Sequence, residues 1–323
     1  LPRPRGPLST AIIEALSERP PARVLPVEAV AEADPYGDDL ALGLYTCYEL
    51  HYRGFRAVAP GWEWDPELVR LRNAMEARFL RAVRSDVPGG TNLDAALDAL
   101  LEEPVPSTGA SQFLREKGEW WHMREYIVHR SMYHLKEADP HAWVIPRLQG
   151  QAKASLVAVE YDEFGGGRGD RMHAQLFADL MAGMGLDARY LYYLDDVPAP
   201  ALAIVDLMSM LGLHRAFRGA LVGHFTAAEI TTAPSARRMA EALERLGAAP
   251  VCTHFYTEHI EADAVHEQVM RRDVVGDLLD REPHLAADVL FGIQATELLE
   301  ARFERHVLGA WNSGESSLLR PVT

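Results

Sequence analysis

An all-α fold is predicted by three features of this sequence. From Asp38 onward, nearly every segment repeats its apolar residues at the spacing of one helix face. The apolar–polar alternation of half-buried strands is scarcely present. Cap residues, prolines and glycines fall at the segment ends, where helices start and stop.

Residues 1–36 are rich in proline and alanine, with one short helical pattern near Leu8–Ser17, and read as an arm wrapped on the main body. Asp38–Arg53 is apolar with few breakers, and Asp65–Val83 opens on a cap residue followed by proline. Asn92–Leu101 is short. Ser111–Glu137 reads as one long helix stopped by Asp139-Pro140. Pro146–Phe164 runs into Gly165-Gly166-Gly167, and Arg171–Met184 ends at Gly185. Ala201–Leu211, His214–Thr231, Ala236–Leu246, Ala249–Leu278, His284–Phe291 and Ile293–Ala310 complete the series. The expected organisation is an N-terminal arm and helical extension over residues 1–105, packed on a main domain over 106–323.

Composition narrows the function. Acidic residues outnumber basic ones 47 to 32, the reverse of what a phosphate-backbone binder needs, so nucleic acid is not an expected partner. No apolar run reaches the length of a membrane span, and no apolar stretch follows the arginines of Leu1-Pro-Arg-Pro-Arg-Gly. Cys47 and Cys252 lie far apart on apolar helix faces and read as core thiols, which makes the cytoplasm the expected compartment. Neither a Gly-rich nucleotide fingerprint nor a Gly-x-Ser-x-Gly elbow occurs, so neither a bound flavin or NAD nor serine hydrolysis is expected.

The sharpest chemical signal is His259-x-x-x-Asp263-x-x-His266. At 100° per residue the three side chains lie at about 0°, 40° and 340°, one narrow stripe shared with Phe255, Tyr256 and Met270. Burying two imidazoles and a carboxylate there without partners costs several kcal/mol, and a metal ion is an obvious partner. Glu163 shares a stripe with Ala152, Leu156, Val159 and Glu160; His173 shares one with Leu176, Phe177, Leu180 and Met184. Glu137 follows Met123, Tyr126, Tyr133 and His134, and Glu229 follows Val222, Phe225 and Thr226. Glu137 and Glu229 would each be ordinary alone; their weight comes from the set. Four carboxylates balance two divalent cations, and this nitrogen–oxygen mixture without cysteine suits iron or manganese rather than structural zinc. Helical bundles are where such carboxylate-bridged sites are built. Glu160, one turn before Glu163, reads either as a supporting group or as a solvated carboxylate. Among the remaining histidines, His134 stands one turn from Glu137. Tyr45, Glu49 and His51 read as a cluster lining an entry or a dimer contact.

The order Glu … Glu-x9-His … Glu … His-x3-Asp-x2-His resembles that of the haem-oxygenase-like di-iron oxygenases, also called iron-containing redox enzymes. The stretch Gln151–Gly167 and the helix running to Gly185-Leu186-Asp187 are especially similar, and the likeness covers roughly residues 110–310. The resemblance implies a haem-oxygenase-like bundle that binds no haem. It implies two Fe(II) per chain held by Glu137, Glu163, His173, Glu229, His259, Asp263 and His266, with Glu163 bridging and Glu163 and Asp263 catalytic. It also implies O2 as co-substrate, a small-molecule substrate, an external electron donor and room for a homodimer. The ten-residue step from Glu163 to His173 is most similar to the N-oxygenase branch, since some other branches place these residues three apart. N-oxygenase members of specialised metabolism oxidise an amine, guanidine or aminoimidazole nitrogen. Other branches cleave C–C bonds of amino or fatty acids. A non-catalytic helical binding protein is the alternative outside enzymes, and it would purify without stoichiometric iron.

Overall fold

Helix signals in this chain are local, but crowding between helices decides where several of them end. The computed structural model describes residues 1–21, 24–102 and 109–322, except the side chains of residues 261–264. Every regular element among them is helical.

The N-terminal part holds α1 (Pro7–Leu16), α2 (Asp38–Glu49), α3 (Pro66–Asp86) and α4 (Leu93–Leu100). Asp65 caps α3 as the sequence predicts, its carboxylate accepting the N–H groups of Glu67 and Leu68. Next come α5 (Ala110–Glu116), α6 (Trp120–His134), α7 (Asp139–Ala142), α8 (Gly150–Glu163), α9 (His173–Gly183) and α10 (Ala199–Leu213). The chain closes with α11 (Arg218–Arg245), α12 (Pro250–Gln268), α13 (Asp277–Arg281) and α14 (Ala286–Asn312).

Three readings of the sequence need correction. The predicted Ser111–Glu137 helix is two helices. Lys117 leaves helical conformation at φ −143°, and the N–H groups of Lys117 and Gly118 both bond to the Phe113 carbonyl. The second helix stops at His134, so Glu137 lies in the turn before α7. The segments around Thr231–Ala236 and Phe291–Ile293 are continuous helix. Pro234 sits inside α11, where Thr231, Thr232 and Ser235 hydroxyls bond to nearby carbonyls. Gly292 sits inside α14, where a Cβ would strike the Ala220 carbonyl of α11. That glycine lets two long helices cross closely and does not end one. Finally, the predicted Ala249–Leu278 helix changes to π-helical winding over Val269–Gly276.

α11 packs along both α12 and α14, while α9 lies against α12, and α8 against the π-helical stretch. α10 is enclosed by α2, α6, α7, α11 and α14. No single helix among the described residues is long and apolar enough to cross a membrane. Cys47 and Cys252 are buried free thiols, as read from the sequence.

Candidate metal centre

Four helices and one turn deliver the predicted ligands to one buried place. α12 presents His259 and His266 two turns apart on its inner face, at 4% and 3% exposure. α8 ends on Glu163, the α9 N-terminus begins on His173, α11 carries Glu229, and the α6–α7 turn carries Glu137; all four are buried. Asp263 lies on the described backbone of α12, but its side chain is outside the described residues.

Two ligand groups result. One potential ligand atom from each of Glu137, Glu163, His173 and His259 lies within 4.8 Å of the others. Glu163, Glu229 and His266 meet the same distance, so Glu163 belongs to both groups. Six of the seven predicted residues therefore converge.

Several contacts orient these side chains. His259 Nδ1 stands 2.7 Å from the Phe255 carbonyl one turn earlier. A carbonyl only accepts, so Nδ1 carries a proton and the ring is turned to point Nε2 at Glu137 Oε1, 3.7 Å away. His134 Nδ1 holds Glu137 Oε2 at 2.8 Å. Burial pushes the Glu137 carboxyl up, but this imidazole and His259 outweigh it and hold the carboxyl far below its ordinary range. The sequence singled out His134 for its spacing; its role here is to steer Glu137.

Chemistry of the donor set fits a cation. His173 Nδ1 and Glu163 Oε2 are 2.8 Å apart, yet His173 Nδ1 makes no hydrogen bond. Glu160, read as either supporting or solvated, is 3% exposed, and neither carboxylate oxygen has a partner. Burial, with Glu163 and Glu229 nearby, pushes its carboxyl up to about 9. His266 lies between Glu229 Oε2 at 3.0 Å and Asp162 Oδ2 at 3.2 Å. Burial disfavours its charge, but the hydrogen bond and charge of Glu229, with Asp162, raise its pKa to about 9. Without metal, the excess carboxylate charge is met by protons. Asp162 was not legible as a participant, because its side chain is largely exposed and only its tip reaches His266.

A pH dependence follows. In the folded metal-free protein, His266 and Glu160 hold protons up to about 9, whereas free His and Glu release them near 6.5 and 4.5. Stability from these protons is complete below the unfolded values and is lost as pH rises through about 9. The metal-free protein should lose stability on the order of a few kcal/mol between pH 6 and 9. Fe(II)-loaded protein should lose less, because a cation replaces the protons. Anaerobic calorimetry across that range checks this; equal slopes for both forms would reject it.

Beside the ligands opens a cavity of about 640 Å³, within the size range of small-molecule sites. Glu137, Glu163, Glu229 and His259 line one part, and Arg130, Arg238, Glu297, Glu300 and Glu304 line another. Arg130 and Glu300 form a two-point ion pair at 2.8 and 2.7 Å. His224 also lines the cavity. Its Nδ1 lies 2.7 Å from Thr296 Oγ1, whose own proton goes to the Gly292 carbonyl. Nδ1 is thus the protonated nitrogen, and the buried Nε2 is an acceptor without a partner. Burial lowers this histidine to about 4, so it stays neutral at physiological pH.

An all-helical bundle enclosing a buried carboxylate–imidazole cluster defines the class, a helical protein with a donor set suited to metal cations. Residues 124–301, more than half of the chain, match the family described as iron-containing redox enzyme, and the chain belongs to this haem-oxygenase-like family. The chain is also similar to nitrosourea synthase of Streptomyces achromogenes subsp. streptozoticus, at 26% identity over 242 residues. That alignment covers 71% of this chain and 50% of the relative, so the chain spans about half the length of the curated protein it matches.

Proposed function

We propose that the protein is a non-haem di-iron oxygenase that inserts oxygen at a nitrogen of a small polar substrate. The observation that carries this reading is the membership of Glu163 in both ligand groups, the arrangement a bridging carboxylate needs. Glu137, His173 and His259 would hold one Fe(II), and Glu229 and His266 the other, with Asp263 proposed as a further ligand. Bound iron would supply Lewis acidity and the redox chemistry of O2 reduction. For N-hydroxylation, one oxygen atom goes to nitrogen and the other leaves as water, using two protons and two electrons from an external donor.

The chain's own groups divide the remaining work. The Phe255 carbonyl fixes the His259 tautomer, and His134 fixes Glu137. Glu160 holds a proton beside the centre and can give it up during turnover. His224 Nε2, a buried acceptor without a partner on a cavity-lining residue, would bond an N–H or O–H donor of a substrate that reaches it. The charged lining formed by Arg130, Arg238, Glu297, Glu300 and Glu304 suits a polar nitrogen compound and opposes a fatty acyl chain. The similarity to a protein called nitrosourea synthase supports nitrogen chemistry in the same direction.

Anaerobic loading should give two Fe(II) per chain. Mixing with O2, a reductant and a panel of amines, guanidines and aminoimidazoles should then yield a product heavier by one oxygen, read by mass spectrometry with 18O2. Saturation at one iron would overturn the di-iron reading. Loss of carbon from the product would replace N-oxygenation by C–C cleavage.

A further inference from the structure

We propose that α2, in the N-terminal part of the chain, is a positioning element for Glu137, an inference resting on the reading of Glu137 as an iron ligand. Tyr45, Glu49 and Arg53 are spaced four residues apart and form one row along α2 and the turn after it. The sequence marked Tyr45 and Glu49, with His51, as lining an entry or a dimer contact. Both are instead buried inside the chain, and His51 is occupied by Glu63 at 3.1 Å.

This row grips the segment that carries Glu137 at successive points. Tyr45 donates its hydroxyl to the Met132 carbonyl at 3.1 Å. Glu49 Oε2 accepts from Lys136 Nζ at 3.1 Å. Arg53 donates to the Leu135 carbonyl at 3.1 Å and stands 3.9 Å from Asp139. Lys136 adjoins Glu137 in sequence, and both Lys136 and Glu49 are at most 1% exposed. The Lys136 ammonium lies over the rings of Tyr45 and Tyr52, at 4.5 and 4.1 Å, and Tyr190 donates a second hydrogen bond to Glu49 at 2.7 Å.

Two facts make more of this than ordinary packing. Glu137 lies beyond the end of α6, where its N–H reaches the His134 carbonyl only at 3.4 Å, so the helix ladder does not fix it. Metal ligands must be held within about 0.5 Å of their working geometry. A buried lysine–glutamate pair is also a weak source of stability, since apolar replacements of both partners are often neutral or better. Its geometric effect is to fix the residue next to the ligand. The row lies outside residues 124–301, the part matching the family.

The test is Fe(II) affinity, measured without O2 in the full chain. Glu229→Ala protein retains the Glu137 group alone, and Glu137→Ala protein retains the Glu229 group. Adding Lys136→Met with Glu49→Gln should weaken Fe(II) binding roughly 10- to 100-fold in the first background, as loss of a ligand's supporting partner does. In the second background the change should be under about two-fold by the same reasoning. Arg53→Met, at a half-exposed position, should shift binding in the same selective direction and serves if the double change disturbs folding. Equal weakening in both backgrounds, or none in either, overturns the proposal. Wild-type protein that binds two irons beside an unaffected variant overturns the clasp alone. A single iron, lost on Glu137→Ala and weakened by the pair, upholds the clasp and overturns the two-iron reading. Wild-type protein that binds no iron overturns both.

Discussion

Glu163→Ala should strip both irons from the protein, whereas Glu137→Ala and Glu229→Ala should each strip one. Glu163 supplies ligand atoms to both buried groups; Glu137 and Glu229 each belong to one. The variant also removes the negative charge between His173 and His266, which stand 2.8 and 3.9 Å from its two oxygens. Removing a partner that merely supports a ligand costs 10- to 100-fold in affinity or activity, so losing a shared ligand should cost turnover at least ~10²-fold. His259→Ala should be comparably inactive. The helices should survive, because a truncated ligand relieves charge crowding in the metal-free state. Metal analysis after anaerobic loading, with circular dichroism on the same samples, reads the result. Two irons retained in Glu163→Ala protein would show that the groups do not share this carboxylate. Both irons lost from Glu137→Ala protein would show that the two groups cannot fill separately.

The residues behind that prediction differ in how they could be read from sequence. His259 and His266 sit on a regular stretch of α12, so angular arithmetic alone aims them inward beside Phe255. Glu229 is similar, on a continuous α11 among Val222, Phe225 and Thr226. Glu137 was found through a helix that does not reach it. Its burial comes from the α6–α7 turn and from Lys136, whose partner Glu49 lies 87 residues away, a distance no local pattern spans. That is also why Glu49 read as an edge residue. Pro234 and Gly292 carry strong stop signals, and tertiary packing overrides both. Local propensity is worth about 1–3 kcal/mol, less than the apolar contacts that α11 and α14 make along their lengths.

Gly165→Ala should dismantle the Glu137–His173–His259 subsite, while Gly166→Ala, one residue on, should leave it largely working. The sequence marks the triple glycine as the break between Glu163 and His173. The structure gives the three glycines positive φ values of 73°, 62° and 82°, within one short 3-10 turn. Any alanine there meets the left-handed penalty of roughly 1–2 kcal/mol. Only Gly165 also lacks space. A Cβ on it would lie 2.6 Å from the backbone of Arg171 and Met172, closer than real atoms approach. At Gly166 the nearest atom is Tyr161 Cε1 at 3.8 Å, an ordinary contact. Arg171 and Met172 immediately precede His173, so relieving the clash moves the start of α9 away from Glu163. Gly165→Ala protein should therefore bind one iron, at the Glu163–Glu229–His266 group, and lose turnover. Gly166→Ala protein should bind two and melt slightly lower than wild type. Iron stoichiometry and melting temperature of the two variants side by side decide it. Equal iron content in both would mean that the fold-back at Gly165 yields without displacing His173.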